Sequence, residues 1–142
     1  MIRWGMMLGA VWLGTALTVR AADWKYSTKA VKAELVQVID EQLAAFRRDD
    51  YWAAYHLAAR ELRRQYSLPV FELMIRRGYP LIARNQGADY GLARDNGVEA
   101  EVLVIVRGAD GQPGDFRYLL VYEDEAWRIG SVTEVPRAGP DA

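Results

Sequence analysis

The sequence predicts an α+β domain, three N-terminal helices packed on a curved four-stranded antiparallel sheet, and three observations carry that expectation. Apolar residues recur at helical spacing through the first half of the chain. After Pro80 the period shifts towards strand-like alternation. The stretch Phe116–Val132, FRYLLVYEDEAWRIGSV, then reads as two strands flanking a short acidic turn. Helices followed by strands, rather than alternating with them, is the α+β pattern.

Each element has a local cause. From Thr28 to about Arg48, Val31, Leu35, Val38, Ile39, Gln42, Leu43 and Phe46 form a stripe at i, i+3, i+4 and i+7, with Ser27 or Thr28 as the cap. Asp49-Asp50 puts acid at the next helix start, where the positive dipole end favours it. Helix two is expected over Tyr51–Gln65, with Trp52, Tyr55, Ala59, Leu62 and Tyr66 on its apolar face. Ser67-Leu68-Pro69 starts a third helix: Ser67 is the cap and Pro69 sits in the first turn, where its missing N–H costs nothing. Tyr66 and Phe71 stand at hydrophobic-staple spacing, Gly78 fits a left-handed stop, and Pro80 follows it.

Beyond Pro80, Leu81–Gly87 reads as loop and Ala88–Arg94 as a short strand. Asn96-Gly97 is a hairpin turn, because both residues tolerate positive φ. Val98–Arg107 is a long strand with Val98, Ala100, Val102, Val104 and Val106 on one face and Glu99 and Glu101 on the other. Leu103 and Ile105 share the acidic face, so that end is expected to be covered on both sides. Gly108–Gly114 is a loop leading into the closing hairpin, and Pro136–Ala142 a frayed, disordered tail.

The 142 residues leave room for one domain, expected over residues 28–135. The first 21 residues have the make-up of a secretory signal: Arg3, an apolar run Trp4–Val19, and Val19-Arg20-Ala21 as a cleavage pattern, with the cut after Ala21. The run is shorter than the roughly 20 residues of a spanning helix, so a membrane contact would require an uncleaved signal. Periplasmic or secreted localisation is the expectation. Cleavage removes Arg3 and Arg20, which leaves 16 basic against 19 acidic side chains. That balance argues against nucleic-acid binding. Cysteine is absent, so no disulfide, thiolate or cysteine metal site exists.

Motifs for chemistry are sparse. His56 is the only histidine, which excludes two-histidine zinc motifs. It sits beside the apolar face of helix two and reads either as a boundary histidine or as a general base. Ser27 and Ser67 look like helix starts, and no serine has the G-x-S-x-G turn. Gly108-x-x-Gly111-x-x-Gly114 precedes a strand, so no helix N-terminus faces an anion there. Glu99 and Glu101 share a strand face and are acid/base candidates only if that face lines a cavity. Among the clustered arginines, Arg63 borders the apolar stripe of helix two.

Aromatic residues are the richest signal, with eight Tyr, five Trp and three Phe. Tyr55, Tyr79, Tyr90, Tyr118, Tyr122 and Trp127 each couple an apolar body to a polar tip. Phe116, Tyr118, Leu120 and Tyr122 alternate onto one strand face. That face must be buried against helices, a ligand or a second protomer, and the sequence leaves the three open.

The block Gln42–Pro80, QLAAFRRDDYWAAYHLAARELRRQYSLPVFELMIRRGYP, resembles an uncharacterised bacterial domain-of-unknown-function family, and YLLVYEDEAWRIGSV matches that family's closing strands. There the turn pair is commonly Asp-Gly, whereas this chain has Asp124-Glu125. In outline the family is similar to the cone-shaped, cystatin-like superfamily of ketosteroid isomerase, polyketide cyclases and nuclear transport factor two. That resemblance implies either a non-catalytic binding module or an enzyme with an acid/base pair in the cone; no isomerase-type Asp maps onto an apolar strand position here.

The resulting expectation is an exported binding or interaction module, with Tyr55, Arg63, Tyr118, Tyr122 and Trp127 as binding candidates. Its partner would be a small apolar or aromatic molecule or a protein, with a homodimer through the sheet among the options. No cofactor and no metal are expected. The alternative is a cofactor-independent lyase or isomerase using His56 or Glu101 with a tyrosine as hydrogen-bond donor.

Overall fold

A computed structural model describes residues 22–137. The expected signal over residues 1–21 and the end of the expected tail, residues 138–142, lie outside the described residues. In chain order the elements are β1 (Lys25–Tyr26), α1 (Lys29–Arg47), α2 (Tyr51–His56), α3 (Arg60–Gln65), α4 (Leu68–Gly78), α5 (Pro80–Ala83), β2 (Ala88–Asp95), β3 (Glu99–Arg107), β4 (Pro113–Glu123) and β5 (Ala126–Val135). The strands pair in the order β1-β2-β3-β4-β5, each antiparallel to its neighbours. The α+β class is as expected, but the described residues hold five helices and five strands instead of three and four.

Helix α1 follows its sequence stripe. Thr28 caps it, accepting from the Val31 N–H at 3.1 Å, and Leu35, Ile39, Leu43 and Phe46 are buried. Their partners are the inward residues of β3 and β4: Ala100, Val102, Val104 and Val106, then Phe116, Tyr118 and Leu120. The open question about the aromatic strand face therefore closes on the helices. Only Tyr122, at the hairpin end, escapes burial at 44 % exposed.

Helix two is not continuous. It breaks into α2 and α3 at Leu57-Ala58-Ala59. The edge of β5 claims those backbone groups: Ile129 N–H donates to the Leu57 carbonyl at 3.0 Å, and Ala59 N–H donates to the Ile129 carbonyl at 2.8 Å. These bonds take up two of the backbone groups that the break frees, and they cap a strand edge that would otherwise be open. Nothing in the local sequence signals this. The break also changes the buried face: Tyr51 and Ala54 are buried while Trp52 is 62 % exposed. Asp50 is the cap of α2, accepting from Ala53 N–H at 3.0 Å.

Helix α4 starts as expected, with Ser67 accepting from Val70 N–H at 3.4 Å and Pro69 in the first turn. Its end differs. Gly78 is the last helical residue and does not adopt positive φ; Tyr79, at φ −136, makes the break, and Pro80 opens α5. The segment read as loop thus contains a helical turn, secured by Asn85. This side chain is fully buried. Its amide donates to the carbonyls of Leu43 at 3.0 Å and Ile82 at 2.8 Å, and its oxygen accepts from Arg47 at 2.6 Å and Gly87 N–H at 3.0 Å.

In the sheet, Gly97 takes positive φ at the first hairpin and Asn96 does not; the Asn96 side chain instead accepts from the N–H groups of Val98 and Glu99. Lys25–Tyr26 pairs with Arg94–Asp95 as the outermost strand. Leu103 is 37 % exposed, so the acidic face of β3 is not covered on both sides. At the closing hairpin both turn residues, Asp124 (φ 52) and Glu125 (φ 63), adopt the left-handed region, as the two-residue turn that matches strand twist requires. Glycine takes this conformation at no steric cost and glutamate does not. Glu125→Gly should raise stability by about 0.5–1 kcal/mol, read as a higher melting midpoint; an unchanged or lower midpoint would show that the turn carries no such strain.

Candidate functional site

A hollow of about 640 Å³ lies between the α3–α4 layer and the β4–β5 side of the sheet. Its apolar wall includes Leu62 and Tyr66 from α3 and its end, Met74 and Ile75 from α4, and Ile129 and Val132 from β5. Local sequence positions each wall. The Ser67 cap and Pro69 set the start of α4, and the i, i+4 pair Phe71 and Ile75 anchors its buried face. On β5, the bulge at Gly130 shifts the register between Leu119 and Leu120, so that Ile129 and Val132, three residues apart, both take the inward side.

Polar groups in the lining are few. Gln42 is buried and donates to the Ala54 carbonyl at 3.0 Å. The Tyr79 hydroxyl donates to the Val132 carbonyl at 3.0 Å, which ties α4's end to the strand. Glu61 and Gln65 stand on the exposed side of α3 at the rim. The lining also takes in residues of the far side of the sheet, among them Trp24, Glu99, Leu119 and Val121.

The five residues expected to bind are not gathered here, and none lines the hollow. Tyr55 places its hydroxyl between the carbonyls of Arg63 at 2.9 Å and Tyr66 at 2.5 Å, where it pins the end of α3. Arg63 donates to the Ala58 carbonyl at 3.2 Å and supports the α2–α3 break. Tyr118 is fully buried in the core, and its hydroxyl has no hydrogen-bond partner. Burial pushes its pKa well up, and nearby Tyr90 and Tyr79 push it further, so it stays neutral. Tyr122 and Trp127 stack edge-on at 5.1 Å at the hairpin end. Met74, Ile75 and Val132 went unremarked in the sequence; the signal available for the first two was the helical spacing of Val70, Phe71, Met74 and Ile75.

The acid/base candidates are also dispersed; of them only Glu99 borders the hollow, where the Asn96 amide donates to it at 3.4 Å. His56 is exposed, stacks on Trp52 at 4.1 Å, and directs Nδ1 to the Trp52 carbonyl at 2.8 Å. It borders a separate surface hollow of about 420 Å³ with Glu41, Arg48 and Trp52. Glu101 lies on the opposite face of the sheet from Tyr118, bound to Arg117 at 3.0 Å and Arg94 at 3.6 Å. One carboxylate does meet a tyrosine: the Tyr90 hydroxyl donates to Asp40 at 3.1 Å. Burial, reinforced by Asp40, holds the Tyr90 pKa well above the ordinary tyrosine value. Among the described residues no cluster of three or more His, Cys, Asp or Glu has metal-binding geometry, and no helix is long and apolar enough to cross a membrane.

The family model described as "Domain of unknown function (DUF4864)" matches residues 28–142, more than half of the chain. The chain belongs to the DUF4864 family. No curated protein matches it. The matched span begins at Thr28, the cap of α1, so the DUF4864 match takes in all five helices and β2–β5, while the edge strand β1 precedes it.

Proposed function

We propose that this DUF4864 protein is an exported, non-catalytic binding module for a small, largely apolar or aromatic molecule, held in the hollow between α3–α4 and β5. We further propose that its helices and sheet form the cone-shaped, cystatin-like arrangement of the ketosteroid isomerase and nuclear transport factor two superfamily. The hollow carries the reading. Its volume of about 640 Å³, which includes its extension to the far side of the sheet, falls within the roughly 300–1,000 Å³ of small-molecule sites, which combine an apolar wall with a few convergent polar groups. Gln42, the Tyr79 hydroxyl and rim Glu61 and Gln65 are those groups here. Support for export comes from the N-terminal pattern of Arg3, the apolar run Trp4–Val19 and the small-residue cut site.

A lyase or isomerase would need a base within hydrogen-bond reach of a tyrosine donor in one concavity. His56 and Glu101 stand apart from Tyr118 and from this hollow, and Glu99, which borders it, accepts from the Asn96 amide at 3.4 Å and, among the described residues, from no tyrosine hydroxyl, so the acid/base pair is not assembled.

The test uses protein released from the periplasm of cells expressing the whole chain, whose mature N-terminus should be Ala22. Native mass spectrometry should find an organic molecule retained, and 8-anilinonaphthalene-1-sulfonate should raise the melting temperature by several degrees. Met74→Trp, which fills the hollow from its half-buried wall, should abolish both while leaving circular dichroism unchanged. Protein that carries no molecule and shows no melting shift would overturn the binding reading; recovery only from the cytoplasm with residue 1 retained would overturn export.

A further inference from the structure

The hollow between α3–α4 and β5 is bordered by charge of one sign. Glu61, Glu99 and Glu123 line it and no Lys, Arg or His does, in a chain with 18 Lys and Arg. The three carboxylates follow one another along the border. Glu99 stands opposite Val121 in the β3–β4 register, so Glu123 is its diagonal neighbour on the same face, roughly 7–8 Å away. Glu123 in turn accepts from the Arg60 N–H at 2.7 Å, and the next residue along α3 is Glu61.

The surroundings leave this charge standing. The side of the sheet turned away from the helices, where Trp24, Leu92, Leu103 and Leu119 are exposed, carries two glutamates of β3. Glu101 is neutralised there by Arg117 at 3.0 Å and Arg94 at 3.6 Å. Glu99 is not: it accepts from the Asn96 amide, and among the described residues neither Glu99 nor Glu123 forms an ion pair. Arg128, opposite Val121 on β5, turns its guanidinium to the Trp127 carbonyl at 3.2 Å. Glu61 does pair with Arg64 at 2.8 Å, but both side chains are more than half exposed, and such pairs open at little cost. Hydrogen bonding in the lining has the same bias. The Gln65 amide donates to Glu61 at 3.3 Å, the Gln42 amide to the Ala54 carbonyl, and the Tyr79 hydroxyl to the Val132 carbonyl. Donors are thus directed at the protein's own acceptors, and an ammonium, which has donors and no acceptor, complements what is left.

Resting on the small-molecule reading of this hollow, we propose that its ligand is an organic cation, an apolar or aromatic body that carries a protonated or quaternary amine. The body lies against Leu62, Met74, Ile75 and Val132, and the charged nitrogen lies at the Glu99–Glu123 border. Tyr66 and Phe71 add aromatic rings, whose faces attract cations. An organic anion meets three carboxylates instead and is disfavoured. 8-Anilinonaphthalene-1-sulfonate enters through its rings against this field, and so only at higher concentration.

Three probes of one shape isolate the charge: 1-naphthylmethylamine, 1-naphthalenemethanol and 1-naphthoate, which at neutral pH are cation, neutral molecule and anion. In calorimetric titrations of the dialysed protein at low salt, the amine should bind about tenfold tighter than the alcohol, and the naphthoate weakest. Glu99→Gln with Glu123→Gln keeps an oxygen for the Asn96 and Arg60 donors and should remove the amine's advantage. Glu34→Gln with Glu41→Gln, at exposed positions of α1, makes the same change in net charge and should preserve it. If amine and alcohol bind alike to the natural chain, the proposal falls and the small-molecule reading stands. The same holds if the advantage survives the first pair of substitutions or is lost equally with the second. If none of the three probes binds, the small-molecule reading falls and the cation proposal with it. The molecule retained by the purified protein should itself carry a basic or quaternary nitrogen, and a retained molecule without one overturns the proposal.

Discussion

Replacing Asn85 with leucine should destabilise the domain by about 3 kcal/mol, although the two side chains are similar in size. The side chain is fully buried and all four of its hydrogen-bonding positions are used. Leucine would leave the Gly87 N–H and the Arg47 guanidinium without this acceptor and remove one partner each from the Leu43 and Ile82 carbonyls. A stranded buried group costs about 1–3 kcal/mol, and a bond to a charged donor is worth about 1.5–3. For a domain of this length, a loss of that size lowers the melting temperature by roughly 10 °C. Asn85→Asp should also fail to restore stability, because a carboxylate cannot donate to the two carbonyls. Thermal melts followed by circular dichroism decide the matter: a loss below about 1 kcal/mol for the leucine variant would mean that the loop between α5 and β2 is held by other contacts.

Phe46→Ala should cost about 3–5 kcal/mol, the range for emptying a large aromatic site in a packed core. Phe46 is 1 % exposed and packs against Tyr51 at 5.3 Å and Phe71 at 6.2 Å between ring centroids. The three rings join α1, α2 and α4, so the cavity would open beneath the wall of the hollow, where Phe71 and Ile75 are seated. Two effects should therefore appear together in denaturant titrations: a lower midpoint, and loss of the melting shift produced by the aromatic probe. An unchanged probe response at equal foldedness would show that the hollow's wall does not depend on this ring cluster.

Legibility differed by element, and for physical reasons. Helix α1 was readable because its stripe, its Thr28 cap and its buried face are all local, with tertiary packing reinforcing them. The same holds for the start of α4 at Ser67-Leu68-Pro69 and for the Asn96-Gly97 hairpin, where Gly97 takes positive φ; at the closing hairpin the alternation of the strands was the signal, since Glu125 takes positive φ against its preference. The continuous helix expected over Tyr51–Gln65 was not realised, because helical propensity lost to the unpaired edge of β5, some seventy residues away in the chain. Gly78 was suited to a left-handed stop, yet the chain turns one residue later, where Pro80 opens α5. Aromatic and cationic chemistry alone marks the five binding candidates in the sequence; the structure spends Tyr55 and Arg63 on holding α3 in place and Tyr118 on the core.

What the sequence alone determined is the α+β class, the order of the major elements, and which face of β3 and β4 turns apolar and inward. Those depend on periodicity, caps and turn chemistry, all of which act over a few residues. Only the tertiary structure decided that the helices, and not a ligand or second subunit, cover Phe116, Tyr118 and Leu120. It alone decided that Asn85 is a buried clasp, and that Trp24, Leu92, Leu103 and Leu119 meet on an uncovered face. These depend on strand register and on contacts between residues far apart in the chain, where a shift of one position moves a side chain to the opposite face of the sheet.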